Sequence, residues 1–434
     1  MNITTRPANY RTLSLFEIAD KNKAQFNDGD WIEAQYIVDQ GIRLVQTGNI
    51  GNGFFISREK HKKFISEETF NQLKCKELKY GDILICRLAE PAGRACIYTE
   101  NEKSIASVDI TIFRPNPEKY NLRYLVYLMS SNAWFLKILE NVGGTTHKRI
   151  SRSNLGKQIL KVVPLAEQQK IAQSLTDADN YISALEKLIE KKKMIKEGLM
   201  VNLLTGKQRL KEFAFNEDGT AKGYKESELG KIPADWEIGN LGNLTTLKAR
   251  IGWQGLTVAE YLDQGDYYLV TGTDFNEGFI DFDHCPYVDK SRYSQDPNIQ
   301  LKNNDVLVTK DGTIGKVAYI ENLDLPATLN SGVFVVRPIG SGINSKFLYY
   351  ILMSKYFDDF LKKITAGSTI THLYQKDFVH FDFVLPTLDE QNSIVSCLSN
   401  MDHDLMILEG KLNKANNIKQ GMMQKLLTGE IRLA

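Results

Sequence analysis

Ten positions in the first half of the chain fall at steps of three and four: Ile171, Leu175, Ala178, Ile182, Leu185, Ile189, Lys192, Ile195, Leu199 and Leu203. All but Lys192 are apolar, so the spacing puts one apolar stripe along one face of a long α-helix. The stripe is written again 223 residues later (394 − 171 = 223), as Ile394, Leu398, Met401, Leu405, Leu408, Leu412, Ala415, Ile418, Met422 and Leu426. Each run begins just after a proline (Pro164, Pro386) and stops at a Thr-Gly pair (Thr205-Gly206, Thr428-Gly429). Glycine one residue past the last turn is a helix stop. Forty residues at about 1.5 Å each make a rod of about 60 Å. Such a rod cannot leave its stripe in water, but two copies in one chain can cover each other. The stripes therefore predict an antiparallel coiled coil.

The repeat extends beyond the stripe. Residues 167–210 set against 390–433 give about 18 identities in 44 positions, closing with "NLLTGKQRL" and "KLLTGEIRL". A duplication this long governs the reading of everything else. The stretches preceding the helices also match. "QGIRLVQTGNIGNGFF" lies against "QGDYYLVTGTDFNEGFI", "GDILICRLAEPAGRACIY" against "NDVLVTKDGTIGKVAYI", and "GGTTHKRISRSNL" against "AGSTITHLYQKDF". These blocks mix short β-branched runs, Gly-rich turns and one helical stretch each ("LRYLVYLMSSNAWFLKILE", "SKFLYYILMSKYFDDFLKKI"). They read as α+β globular domains. The expected order is a first globular domain (1–163), a first long helix (164–206), a polar Gly-rich linker (207–235), a second globular domain (236–385) and a second long helix (386–430). Antiparallel helices would relate the two halves by a pseudo-two-fold.

Length supports this division, since 434 residues exceed what one core holds. The opening MNITTRPANYRTL has no apolar core, so no signal peptide is expected, and no run approaches 18 apolar residues. Cys75, Cys86, Cys96, Cys285 and Cys397 form no CxxC pair and read as reduced cytosolic thiols. The net charge is +1, but it is unevenly divided. Residues 1–165 hold 24 Lys and Arg against 17 Asp and Glu (24 − 17 = +7), and residues 211–385 hold 17 against 24 (17 − 24 = −7). The first half suits a polyanion; the second needs a local basic patch.

Catalytic patterns are scarce. Gly315-Lys316 is preceded by Lys310 where a phosphate-binding loop needs glycine, and Val317 follows where it needs Ser or Thr. There is no HExxH, no Cys/His cluster at metal spacing, and no Asn-Pro-Pro-aromatic or Asp-Pro-Pro-Tyr motif of an amino-methyltransferase.

The helix openings "VVPLAEQQKIAQSL" and "LPTLDEQNSIVSCL", the closings "GLMVNLLTGKQRL" and "GMMQKLLTGEIRL", and "ESELGKIPADWE" together resemble the specificity subunit of type I restriction–modification enzymes. The resemblance covers essentially the whole chain, with the parts in the family's order. It implies a chain without catalysis of its own. Each globular domain would read one half of a split DNA sequence, and the helices would set the spacer. They would also carry two methyltransferase subunits, to which two restriction subunits are added. S-adenosylmethionine, ATP and Mg²⁺ would belong to those partners, with no cofactor or metal in this chain.

Base edges call for forked donors: Arg for guanine, Asn or Gln for adenine. The candidates for base contact on the Gly-rich loops of the first block are Gln46, Asn49, Arg87, Arg94, His147, Lys148, Arg149 and Arg152. On the second they are Trp253, Gln254, Thr273, Lys310, Lys316, Thr369, His372 and Gln375. An adaptor joining two protein partners would share the architecture; polar and basic loops argue against it. An enzyme with an unrecognised site is the third reading.

Overall fold

Alternation explains how each globular block is built. In Ile83–Cys86 every side chain is buried, with Ile83 and Ile85 entering one core and Leu84 and Cys86 another. Successive strand residues point to opposite faces, so an all-apolar strand needs a core on each side. Val306–Thr309 repeats the arrangement: Val306 and Val308 face one core and Leu307 the other. The computed structural model describes residues 3–4, 10–88, 91–144, 148–252, 255–365 and 372–433. Among these the chain forms two compact units, 1–186 with 410–434, and 187–409. Each unit thus takes one half of each long helix rather than following the globular-then-helical order along the chain.

In the first unit a four-stranded antiparallel sheet runs in the order Phe26–Asp28, Ile110–Phe113, Ile83–Cys86, Ala95–Ile97. A second sheet contains the parallel pair Ile42–Val45 and Ser104–Ala106. The second unit repeats both features. Its four-stranded sheet runs Thr245–Ala249, Val333–Pro338, Val306–Thr309, Val317–Tyr319, and its parallel pair is Tyr268–Val270 with Ala327–Leu329. The fold is α+β and internally duplicated.

The long helices are Leu165–Thr205 and Leu388–Thr428. Ile171, Leu175, Ile182, Leu185, Ile189 and Leu203 are buried on the first, and Ile394, Leu398, Leu405 and Leu426 on the second. Leu199, Leu408, Leu412 and Met422 are half-buried. Ile195 and Ile418, one stripe position in two copies, are 45% and 52% exposed, so the stripe opens to solvent there. Within each unit the helix halves run antiparallel. In the first unit Lys419 Nζ lies 2.5 Å from Asp179, while Tyr127 Oη donates to the same carboxylate at 2.6 Å. In the second, Lys196 pairs with Asp402, which also accepts from Tyr350 Oη at 2.6 Å. Burial is the main reason the phenols of Tyr127 and Tyr350 are pushed up and stay protonated donors. Each Tyr–Asp–Lys set ties a domain helix to both long helices.

The closing phrase has a similar purpose. Arg209 donates to Glu390 through Nε (2.9 Å) and Nη2 (2.6 Å), and to Asp235 as well. Arg432 makes the equivalent pair with Glu167, at 2.9 and 2.6 Å. The arginine after one helix therefore caps the start of the other, where a glutamate favours the helix dipole. Gly206 reaches that arrangement with φ +67°, and an added Cβ would stand 2.5 Å from Pro233 Cδ. Only glycine meets both demands cheaply.

Two expectations differ from what forms. The single helical stretch in each block is two helices. Leu122–Leu128 stops before Ser131, whose hydroxyl accepts from Trp134 N to start Asn132–Glu140. Ser345–Leu352 likewise gives way at Ser354 to Lys355–Thr365. Serine hydroxyls compete for backbone donors and favour a new helix start over continuation. The stretch read as a polar linker is folded: Tyr224–Ser227 pairs with Gly230–Pro233, and Ile232 is buried in the second unit's core beside the adjoining Trp236. The thiols of Cys75 and Cys96 are pushed up to about 11 and about 12, mainly by burial. All the cysteines are free. Among the described residues no helix is long and apolar enough to cross a membrane.

Candidate nucleic-acid interface

The central strand of each four-stranded sheet ends where the basic loops begin. In the first unit Arg87 follows Ile83–Cys86; its N–H donates to Asp109 O at 2.8 Å, and its carbonyl accepts from Ile150 N at 3.0 Å. In the second unit Lys310 follows Val306–Thr309; its N–H donates to Gly332 O at 2.8 Å, and its carbonyl accepts from Leu373 N at 2.8 Å. The backbone frame is the same, and the side chains on it are not. Arg87, Leu88, Asp109, Arg149 and Arg152 stand where the second unit has Lys310, Asp311, Gly332, His372 and Gln375.

A second duplicated loop lies beside the parallel strand pair. Gln46 N donates to Asn49 Oδ1 at 2.8 Å, and Thr271 N donates to Asp274 Oδ2 at 2.7 Å. Thr273 shares a hydroxyl hydrogen bond of 2.7 Å with Thr271.

Asn49 and Arg87 are placed otherwise than a base-reading role requires. Asn49 is 7% exposed and spends its amide on Ile56 O (2.8 Å). Arg87 is 6% exposed; it donates to Val108 O (2.5 Å) and lies 3.2 Å from Asp28. Loop composition suggested exposure for both, but Asn49 is held within its own turn by Gln46 and Ile56, and Arg87 is covered by residues distant in sequence. Gln46 is half-buried with its side chain near the turn it caps, and Arg94 donates to Pro91 O at 3.1 Å. Lys148, Arg149 and Arg152 are exposed, and Arg149 is fixed through its own backbone, which exchanges two 3.0 Å hydrogen bonds with Gly143. In the second unit Lys316 and Gln375 are exposed, and Lys310 Nζ lies 5.3 Å from the Phe334 ring centroid. His372 pairs through Nδ1 with Asp311 and packs 4.7 Å from the Tyr374 ring. His147, Trp253, Gln254 and Thr369 lie outside the described residues.

The structure thus gathers Arg87, Arg149 and Arg152 in one unit, and Lys310 and His372 in the other. It also brings in two residues that the sequence did not flag, Asp28 at the end of Phe26–Asp28 and Asp109 in the turn before Ile110–Phe113, which lie beside the arginines. No local pattern marks them, because acids are not base-reading forks and their contacts are made across the sheet. Among the described residues no group of three or more His, Cys, Asp or Glu is arranged to hold a metal ion.

The model of the type I restriction modification DNA specificity domain matches this chain twice, over residues 9–197 and 233–417. The chain belongs to that family. Recognition of DNA sequence is the work of the family, and its specificity subunits are generally non-catalytic. The chain is 28% identical over 361 residues to the type I restriction enzyme MjaVIII specificity subunit of Methanocaldococcus jannaschii, covering 81% of this chain and 80% of that one. It is 24% identical over 322 residues to the EcoBI specificity subunit of Escherichia coli, covering 72% and 66%. In fold it resembles the S subunit of the type I restriction–modification system from M. genitalium, with a TM-score of 0.59 at 15% identity over 97% and 96% of the two chains. A second structure, from work on complex assembly and conformational transition of the type I system, matches with a TM-score of 0.53 at 16% identity over 98% of each.

Proposed function

We propose that each unit reads one half of a two-part duplex DNA sequence and that the long helices set the spacing between the halves. The observation that carries this is the duplicated frame with unlike side chains: the same backbone bonds present Arg149 and Arg152 in one unit and His372 and Gln375 in the other. One scaffold bearing two sets of donors suits an asymmetric pair of half-sites. Joining two modest binders gives the second a high effective concentration, so neither half needs to bind tightly alone.

The helices dock two methyltransferase subunits. Leu188, Met194, Ile195 and Val201 in the second unit and Ile418 in the first are all at least 41% exposed, apolar surface that a partner can cover. Those subunits supply S-adenosylmethionine and flip the target adenine from the duplex to methylate it. Two restriction subunits supply the ATP- and Mg²⁺-dependent cleavage. The complex works in the cytoplasm, where its buried thiols stay reduced.

Band-shift competition tests this reading. The chain assembled with methyltransferase should retain a duplex carrying the genome-mapped methylation target against excess unrelated duplex. Retention should fall steeply with salt, because phosphate contacts release counterions. Equal displacement by target and unrelated DNA would refute sequence reading. The adaptor alternative predicts no DNA retention at all.

A further inference from the structure

We propose that Asp28 and Asp109 are positioning residues that aim Arg149 and Arg152 at a guanine in the half-site read by the first unit. This rests on the reading of that unit as a DNA reader. Asp109 Oδ1 lies 3.6 Å from Arg149 Nη1 and 4.0 Å from Arg87 Nη2. Asp28 lies 3.7 Å from Arg152 Nη1 and 3.2 Å from Arg87 Nε. The buried Arg87 is shared by both acids and holds them apart, its side chain only 7% exposed. The two outer arginines are 59% and 43% exposed. Among the described residues neither guanidinium makes a hydrogen bond, so their side-chain N–H groups are steered without being used up. Arg87 Nε and Asp109 Oδ1 are shielded from water and lack a hydrogen-bond partner. An array built only for stability would not leave them so.

The duplication supplies a control. Strand register pairs Thr111 with Asp28 in the first unit and Phe334 with Ala249 in the second, so Ala249 occupies the position of Asp28. Gly332 occupies that of Asp109. Both acids are missing in the unit where both arginines are missing, although the backbone frame is retained. The acids therefore go with the arginines, although Asp28 also accepts from the buried Thr111 Oγ1 at 3.3 Å and both acids neutralise the buried Arg87. The second unit backs its own donor differently, setting Asp311 against His372. Three guanidiniums against two carboxylates leave one positive charge at the first site, and a forked guanidinium matches guanine O6 and N7.

The test uses the chain assembled with its methyltransferase, the mapped target duplex, and duplexes altered in one half or the other, at one salt concentration. The double variant Asp28→Asn/Asp109→Asn should lower discrimination at one half about tenfold, the effect of one misplaced bidentate contact. Discrimination at the other half should stay unchanged. Affinity for unrelated duplex should hold or rise, because two negative charges are gone. Arg149→Lys/Arg152→Lys keeps every charge and both acids, and should produce the same loss at the same half without lowering the melting temperature. The proposal is overturned if the Asn variant keeps both ratios while the Lys variant loses one. A fall in both ratios together with melting temperature would assign the acids a structural role and also overturn it. If Arg149→Ala/Arg152→Ala leaves both ratios intact, the reading of this loop as a DNA contact fails with it.

Discussion

Inserting seven residues into both long helices, after Glu186 and after Glu409, should move the two methylated adenines about three base pairs further apart. Those positions are the borders between the compact units, so each unit keeps its own helix halves and antiparallel contacts. Seven residues add about 10.5 Å of helix, against roughly 3.4 Å per base-pair step along DNA. They turn the helix by two revolutions less about 20°, so the apolar stripe stays nearly in phase. Lys419–Asp179 in one unit and Lys196–Asp402 in the other are preserved, because both partners of each pair lie on the same side of the insertions. Methylated-adenine mapping reads the outcome. An unchanged spacer would remove the helices from the business of measuring DNA.

The largest loss of stability should come from Glu390→Ala. The Glu390 and Arg209 side chains are 1% and 4% exposed, and Glu390 also accepts from Trp236 Nε1 at 2.8 Å. Removing the carboxylate strands a buried guanidinium, with only the more exposed Asp235 left, and orphans an indole N–H. Breaking a buried pair from one side costs about 3–5 kcal/mol. For a unit of this size that lowers the melting temperature by roughly 10 °C. Glu167→Ala should cost less, because its partner Arg432 is 23% exposed. Arg209→Met combined with Glu390→Leu should recover part of the loss, since no charge is then stranded. Thermal unfolding followed by calorimetry decides this: a Glu390→Ala variant as stable as Glu167→Ala would contradict the account.

Much of the architecture was legible because it is periodic. Steps of three and four fixed the helices, and Gly206 and Gly429 marked their ends, since an αL position after a helix has few alternatives to glycine. The duplication was legible because it is a matter of identity, not geometry. What escaped depends on local caps or on distant pairing. Ser131 and Ser354 divide helical stretches that hydrophobicity alone joins. Ile232 draws an apparent linker into a core beside the adjoining Trp236, because buried apolar side chains outweigh a polar composition. Arg87 lies in a basic Gly-rich loop that looks exposed, yet the strand ending at Asp28 and the turn carrying Asp109 close over it. Arg149 and Arg152 could be named as donors from sequence, but the acids behind them could not.

Exchange of residues 1–163 for the matching block of another family member, followed by mapping of methylated adenines, tests the two-reader account most directly. One half of the target should change to the donor's, with the other half and the spacer retained. A change in both halves, or in neither, would contradict it.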